Sequence, residues 1–503
     1  MTKRSGWKTI YVVLILCASV SVSAQTFSTL ANFDGRDGAV ASAPLVQGLD
    51  GNLYGTTLQG GLNGPCDGYL NGCGNVFKVT PSGQLTSLYT FCSLPNCADG
   101  WSPNGLVQAT NGNLYGTATY GGSNSCAEPG CGTLFEITPR GDLTTLYDFC
   151  TQSDCADGGA PYSGLVQAVN GKLYGTTEFG GNYDAGAIFE ITPLGKLTRI
   201  YSFCSQPGCA DGEAPVAPLT QADNGSFYGT TPYGGVANCR PFGCGTIFEI
   251  TRDGKLTTLY MFCSQNGSAC ADGALPEAGL VQATDGNLYG TTAFGGSNNG
   301  GTVFRIALTG ALTTLYSFCS QPNCADGSYP PAGLVQATNG RLYGVTYYGG
   351  ANGNGCDAIG CGTVFEITLA GQLTTLHTFC SSPECADGEY PVGGLVQATN
   401  GTLYATASGG GLDSAGTVFA LSGLAPFVKT LPAAGKIGAQ VGILGNNLTA
   451  ATSVTFNRTS AQFTAKSPTL IVAHVPTGAT TGTVQVTLPS GTLSSNVPFF
   501  ILQ

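Results

Sequence analysis

Seven aspartates, Asp37, Asp99, Asp157, Asp211, Asp272, Asp326 and Asp387, each stand before a glycine in a chain that is only 9% charged. Carboxylates are hard oxygen ligands, and Ca²⁺ is bound by several of them at once. Ca²⁺ is therefore the one cofactor this pattern suggests. Asp-Gly is also a turn whose carboxylate caps nearby amides. A repeated array spaces its carboxylates apart, whereas a cation site needs them to converge, so the local capping role is the expectation and no cofactor is assigned.

The second chemical signal is cysteine. Of 21 cysteines, all but Cys17 fall into short-range pairs. Six pairs are Cys92–Cys97, Cys150–Cys155, Cys204–Cys209, Cys263–Cys270, Cys319–Cys324 and Cys380–Cys385; four more are Cys66–Cys73, Cys126–Cys131, Cys239–Cys244 and Cys356–Cys361. Zinc would require added histidines or two pairs brought together, and the chain has only His377 and His474. An even set of close pairs points to local disulfides and an oxidising compartment.

Catalytic motifs are absent from the sequence: there is no Gly-x-Ser-x-Gly elbow, phosphate loop or His-Glu-x-x-His. His377 occupies a position held by tyrosine in several other repeats, which predicts packing, and His474 lies in a compositionally different C-terminal region. In a repetitive array, a specific ligand site is built from residues that break the repeat. Trp101, Glu178, Glu213, Arg240, Glu277, Tyr347, Glu389 and Tyr390 do so and are the candidate binding residues. No catalytic residue is assigned.

These residues must be positioned by the repeat itself. Tyr54, Tyr115, Tyr174, Tyr228, Tyr289, Tyr343 and Tyr404 each follow Leu-(Val/Thr)-Gln and an Asn-Gly or Asp-Gly turn, at intervals of 54 to 61 residues. The turn predicts a tight type I′ hairpin. Two further segments per unit, such as Gly362–Thr368 and Leu373–Phe379, are rich in β-branched and aromatic residues. Four antiparallel strands repeated seven times predict an all-β, seven-bladed β-propeller. The seventh unit lacks its fourth strand, and Thr26–Phe33 resembles an orphan one, so the N-terminal strand is expected to close the last blade.

In that arrangement Gln47, Gln108, Gln167, Gln221, Gln282, Gln336 and Gln397 lie on the first strand, where bonding between blades is expected. Tyr120, Phe179, Tyr233, Phe294 and Tyr348 precede Gly-Gly pairs. They can stack on sugar faces, with packing between blades the favoured role. The cysteine-bearing loops all open on one side, where rigid loops commonly carry sites.

Residues 1–24 have Lys3, Arg4 and Lys8 before an apolar run, and end Val22-Ser23-Ala24, the pattern of a cleaved secretory signal. Without them the chain retains 15 basic against 29 acidic residues. Such a balance argues against nucleic acid as a partner. No later stretch has the apolar length of a transmembrane segment.

The motif Gly-Leu-Val-Gln-Ala-(Thr/Val)-(Asn/Asp)-Gly-x-Leu-Tyr-Gly-Thr-Thr, followed by Phe/Tyr-Gly-Gly and Gly-Thr-Val-Phe-Glu-Ile-Thr, resembles the GloVer tandem repeat of exported bacterial proteins over roughly residues 26–422. That resemblance implies exposure at or beyond the cell surface and carries no known activity. From Leu424, segments such as Val441–Leu448 and Val475–Gly482 resemble an IPT/TIG immunoglobulin-like domain, implying a spacer or interaction module.

The expected organisation is therefore a signal peptide at 1–24, a propeller at 25–423 and a small Ig-like β-sandwich at 424–503. The expected function is a secreted or cell-surface binding or scaffold module whose partner is a glycan or a surface protein. The alternatives are a structural envelope or matrix protein and a carbohydrate-active propeller hydrolase or lyase using Glu178 with a neighbouring acid.

Overall fold

The computed structural model describes residues 25–62, 66, 72–123, 130–235, 243–264, 270–350, 356 and 359–502. The expected signal segment with Cys17, and Cys126, Cys239 and Arg240, lie outside the described residues. The fold is all-β and propeller-like. Seven antiparallel sheets follow one another, each containing four strands of the repeat.

Sheet 1 comprises Val46–Gln47, Leu53–Thr57, Asn75–Val79 and Leu85–Thr90. Sheets 2 to 6 begin at Val107–Gln108, Val166–Gln167, Thr220–Gln221, Val281–Gln282 and Val335–Gln336. Sheet 7 comprises Val396–Gln397, Leu403–Gly409, Thr417–Ser422 and the N-terminal strand Thr26–Asn32. Thr26–Asn32 pairs antiparallel with Thr417–Ser422 and carries a register shift at Leu30, the same irregularity that interrupts the fourth strand of the other sheets at Leu146 or Leu376.

Second strands such as Leu173–Thr177 are buried at every residue, whereas fourth strands such as Leu197–Ser202 are mostly half-exposed. Burial on both faces follows where a sheet lies between two neighbours. Edge-to-face phenylalanine pairs join consecutive sheets, as in Phe91–Phe135 at 5.2 Å and Phe318–Phe365 at 5.2 Å. Phe379 meets Phe419 of sheet 7 at 5.1 Å, and Phe33, just beyond the N-terminal strand, meets Phe77 of sheet 1 at 5.0 Å.

The glutamines form a second set of links. Each accepts a backbone N–H from the preceding sheet: Leu49 to Gln108, Thr110 to Gln167, Val169 to Gln221, Asp223 to Gln282, Thr284 to Gln336 and Thr338 to Gln397, all at 2.9–3.1 Å. Thr399 of sheet 7 donates to Gln47 of sheet 1 at 2.9 Å.

The first hairpin of each sheet is not the expected type I′ turn. At Gly51 and its six equivalents only the glycine has positive φ, 78–88°, and the preceding Asp or Asn does not. Gly51 N–H bonds Gly48 C=O at 2.9 Å, which makes a type I turn followed by a glycine bulge. Asp or Asn is selected there for its side chain rather than for tolerance of positive φ. Asp50 accepts the Asn52 N–H at 3.1 Å and the Tyr54 hydroxyl at 2.7 Å, and Asn111 likewise accepts the Asn113 N–H and donates to Tyr115. This explains the fixed interval between the turn and the repeated tyrosine.

Residues from Lys429 onward form two further four-stranded sheets enclosing Val441, Ile443, Phe456, Ile471 and Val486. This small sandwich rests on the hairpin side of the repeat sheets. Thr469 Oγ1 donates to Leu49 C=O at 3.1 Å, and Phe427 N–H to Thr399 C=O at 3.0 Å. No helix among the described residues is long and apolar enough to cross a membrane.

Candidate functional site

Antiparallel connectivity puts the loops between second and third strands, and those leaving the fourth strand, on the side away from the small sandwich. Disulfides staple both loop types. Eight are fully described: Cys66–Cys73, Cys92–Cys97, Cys150–Cys155, Cys204–Cys209, Cys263–Cys270, Cys319–Cys324, Cys356–Cys361 and Cys380–Cys385. Cys131 and Cys244 are also disulfide-bonded. Sulfurs of the two loop types sit together, as in Cys66, Cys73 and Cys92, or Cys361, Cys380 and Cys385 beside the Glu389 carboxylate. With every one of these sulfurs in an S–S bond, none is the thiolate that a metal would need.

The repeated aspartates are occupied locally. The Tyr89, Tyr147, Tyr201, Tyr260 and Tyr316 hydroxyls donate to Asp99, Asp157, Asp211, Asp272 and Asp326 at 2.7–2.8 Å. Loop amides add to this, as Ser93 does to Asp99 and Ser320 to Asp326, both at 2.9 Å. Burial, reinforced by the carboxylate, pushes the Tyr89, Tyr147, Tyr201 and Tyr316 hydroxyls up to about 12, so they stay protonated donors.

His377 takes the tyrosine's place, with Nε2 3.0 Å from Asp387 and its ring stacked on Phe27 at 3.5 Å. Burial opposes ionisation of Asp387, but bonds from His377, Ser381 and Ser382 outweigh it and hold the carboxyl at about 2. Asp37 instead accepts from the Asp34 amide at 2.9 Å, and burial beside Asp34 pushes it up to about 6. These carboxylates sit in separate loops.

The repeat-breaking residues behave differently. Where the chain leaves each Asp-Gly, it bridges to the end of the next second strand, so Trp101 lies opposite Tyr120, Glu213 opposite Tyr233 and Ser328 opposite Tyr348. Trp101 packs on Tyr120 at 4.5 Å, and the Tyr120 hydroxyl meets that of Tyr162 at 2.7 Å. The Glu178 charge reaches Tyr162. Burial raises the Tyr233 pKa, and the charges of Glu277, Glu178 and Glu213, which come from three consecutive loop sets, add to it. Glu277 accepts from the Tyr329 hydroxyl at 2.9 Å.

Tyr329 in turn meets Phe294 at 5.2 Å and Tyr347 at 6.0 Å, and Tyr347 stacks on Tyr390 at 4.9 Å. An open cleft of about 610 Å³ lies among Phe294, Tyr329, Tyr347 and Tyr348. Tyr329 and Tyr390 have φ of 55° and 53°, a conformation costly for bulky residues. Their N–H groups are fixed on Gly300 C=O and Cys361 C=O of the neighbouring sheet.

Trp101, Glu178, Glu213, Glu277, Tyr347, Glu389 and Tyr390 thus fall along one arc. Tyr162 and Tyr329 belong to it and were missed. They occupy the same loop positions as Glu277 and Tyr390 in other repeats, so position-by-position comparison of the loops after Asp-Gly reveals them. Phe179 and Phe294, expected to pack between blades, are 50% and 39% exposed.

Aromatic faces alternating with carboxylates can hold a ligand with both C–H patches and hydroxyl or amine donors. Burial raises the pKa values of Glu178, Glu213 and Glu277. A general acid needs that direction of shift. Ion pairs among the described residues are Lys172–Glu190, Arg341–Glu366 and His377–Asp387, and none involves these three glutamates.

The Gloeobacter/Verrucomicrobia repeat matches residues 16–156, 65–276, 128–357 and 268–453, and the IPT/TIG domain matches residues 427–501. No curated protein matches the sequence. Among solved structures, the chain is similar to the extracellular domain of a protein described as a hybrid two component system from B. thetaiotaomicron. There the identity is 12%, the TM-score 0.48, and 95% of this chain and 57% of that one are covered. It is also similar to a luciferin-regenerating enzyme, at 10% identity and TM-score 0.38, with 80% and 98% covered. A third likeness is to a protein described as an oxidoreductase (glucose dehydrogenase) from Thermus thermophilus, at 13% and 0.39, with 79% and 100% covered. The chain belongs to the Gloeobacter/Verrucomicrobia repeat family and carries a C-terminal IPT/TIG domain.

Proposed function

We propose that this protein is an exported extracellular or cell-surface binding module that recognises a glycan through its disulfide-stapled side. The observation that carries the proposal is the arc from Trp101 to Tyr390, in which half-buried and exposed aromatic rings alternate with Glu178, Glu213 and Glu277. Sugar rings present apolar C–H faces and hydroxyl donors, and this alternation suits both. The binding platform in this reading is a closed seven-bladed propeller over residues 25–423, preceded by an export signal at 1–24 and followed by an Ig-like domain at 424–503.

Closure is supported by the glutamine bonds that return from Thr399 to Gln47, by the Phe33–Phe77 contact and by the pairing of Thr26–Asn32 with sheet 7. Export is supported by the N-terminal sequence pattern and the local disulfides.

The test is glycan-array binding of the oxidised mature chain, with and without Ca²⁺, followed by an assay of each hit for cleavage. Binding without turnover is expected. Turnover would instead identify a carbohydrate-active enzyme. Loss of binding on chelation would restore a Ca²⁺ role to the aspartates, whose oxygens are bonded to local donors. A blank array would leave a surface-protein partner or a structural envelope role.

A further inference from the structure

We infer that the ligand is an uncharged, linear polysaccharide laid along the arc over several sugar units, rather than a single sugar held in one pocket; this rests on the glycan reading above. The loops that contribute to the arc belong to consecutive sheets. Tyr120, Phe179, Tyr233, Phe294 and Tyr348 occupy one repeated position in sheets 2 to 6, while sheets 1 and 7 place Gln59 and Gly409 there. At this position aromatic rings therefore occur on five neighbouring sheets, and Tyr390, stacked on Tyr347, carries the aromatic surface one step further onto sheet 7. A monosaccharide would use one such step. A chain of sugars can use them in sequence.

The polar chemistry between the rings sets the ligand's charge. Glu178, Glu213 and Glu277 accept hydrogen bonds and donate none when ionised. No cation among the described residues pairs with them. A polymer bearing carboxylates or sulfates would bring like charge into a partly desolvated surface, which is repulsive. Hydroxyl groups supply further donors to these acceptors, of which Glu277 already takes one from Tyr329. The arc's two ends are also chemically distinct, with Trp101 against Tyr120 at one and Tyr347 stacked on Tyr390 at the other.

The experiment is calorimetry on the oxidised mature chain with neutral β-gluco- and xylo-oligosaccharides from disaccharide to octasaccharide, with alginate fragments as the anionic series. Affinity for the neutral series should rise about tenfold or more from the disaccharide to the longest fragment that fills the arc, and alginate should bind more weakly at every length. Trp101→Ala and Tyr390→Ala, at opposite ends, should each weaken the long ligand by about three- to tenfold, the loss of one aromatic contact. Both should leave binding of the shortest bound fragment within about twofold. Glu213→Gln should narrow the gap between neutral and anionic polymers.

Length-independent binding of a disaccharide would overturn the extended site and leave the glycan reading intact. Stronger binding of alginate would overturn the charge assignment alone. Absence of binding to every saccharide would overturn the glycan reading itself.

Discussion

Thr399 joins sheet 7, sheet 1 and the small sandwich, and replacing it tests whether that junction holds the two ends of the repeat array together. The residue is fully buried, unlike Thr284 at the same hairpin position of sheet 5. Its N–H donates to Gln47 Oε1 at 2.9 Å, its Oγ1 accepts from Gln47 Nε2 at 3.1 Å and from Asn446 Nδ2 at 3.4 Å, and its C=O accepts the Phe427 N–H at 3.0 Å. Thr399→Val keeps the shape and removes only the hydroxyl. The amide of buried Gln47 then loses an acceptor, at a cost of about 1–3 kcal/mol. The Thr284 hydroxyl accepts from Gln336 at 3.3 Å, but Gln336 also donates to Gly340 C=O, so Thr284→Val should cost no more than about 0.5 kcal/mol.

With an unfolding entropy of about 2.1 cal/mol/K per residue and roughly 400 residues melting together, Thr399→Val should lower Tm by about 1–4 °C, against under about 1 °C for Thr284→Val. Differential scanning calorimetry of the oxidised chain reads this. Hydrogen exchange should show faster exchange at the Thr399 and Phe427 amides in the first variant alone. Equal shifts in the two variants, or unchanged exchange at Thr399, would refute the junction.

Phe27→Ala should destabilise by about 2–4 kcal/mol, because Phe27 stacks on His377 and Phe419 and meets Phe379 edge-on. Deleting residues 26–33 should lower the melting temperature further, and an unchanged melt would exclude the N-terminal strand from sheet 7. Thiol titration of the denatured, unreduced mature chain should find essentially no free cysteine; several free thiols would contradict the pairing. Asp387 has its carboxyl lowered to about 2 from an ordinary 3.8, so its contribution to stability is present above pH ~4 and lost as pH falls through ~2. Melts between pH 6 and 2 should therefore show Asp387→Asn less stable at pH 6 and less acid-sensitive below pH 4, and parallel curves would refute this.

Much of the architecture is local in origin and was legible in the chain. The turn, the tyrosine strand, the Gly-Thr-Val-Phe-Glu-Ile segment and its partner are each set by residues within one unit, and repetition turns a weak strand signal into a strong one. The cysteine pairs are legible for the same reason, since five or seven residues separate partners in every fully described bridge. The hairpin type was misread because positive φ at Gly and the side-chain bonds of Asp50 or Asn111 leave the same Asx-Gly signature.

The chain alone also singled out Trp101, Glu178, Glu213, Glu277, Tyr347, Glu389 and Tyr390 as departures from the repeat. It could not show that they face one another, or that Tyr162 and Tyr329 complete the series. Those contacts join loops separated by 42 to 52 residues, as in Tyr120–Tyr162 and Glu277–Tyr329. The sequence by itself determined the unit, its strands and its staples, because short-range hydrogen bonds and disulfides act along the chain. Only the tertiary structure decided that Asp99 and its equivalents bond to donors of their own loops while the charges of three glutamates from separate loops act on Tyr233, because burial and charge depend on which loops packing brings together.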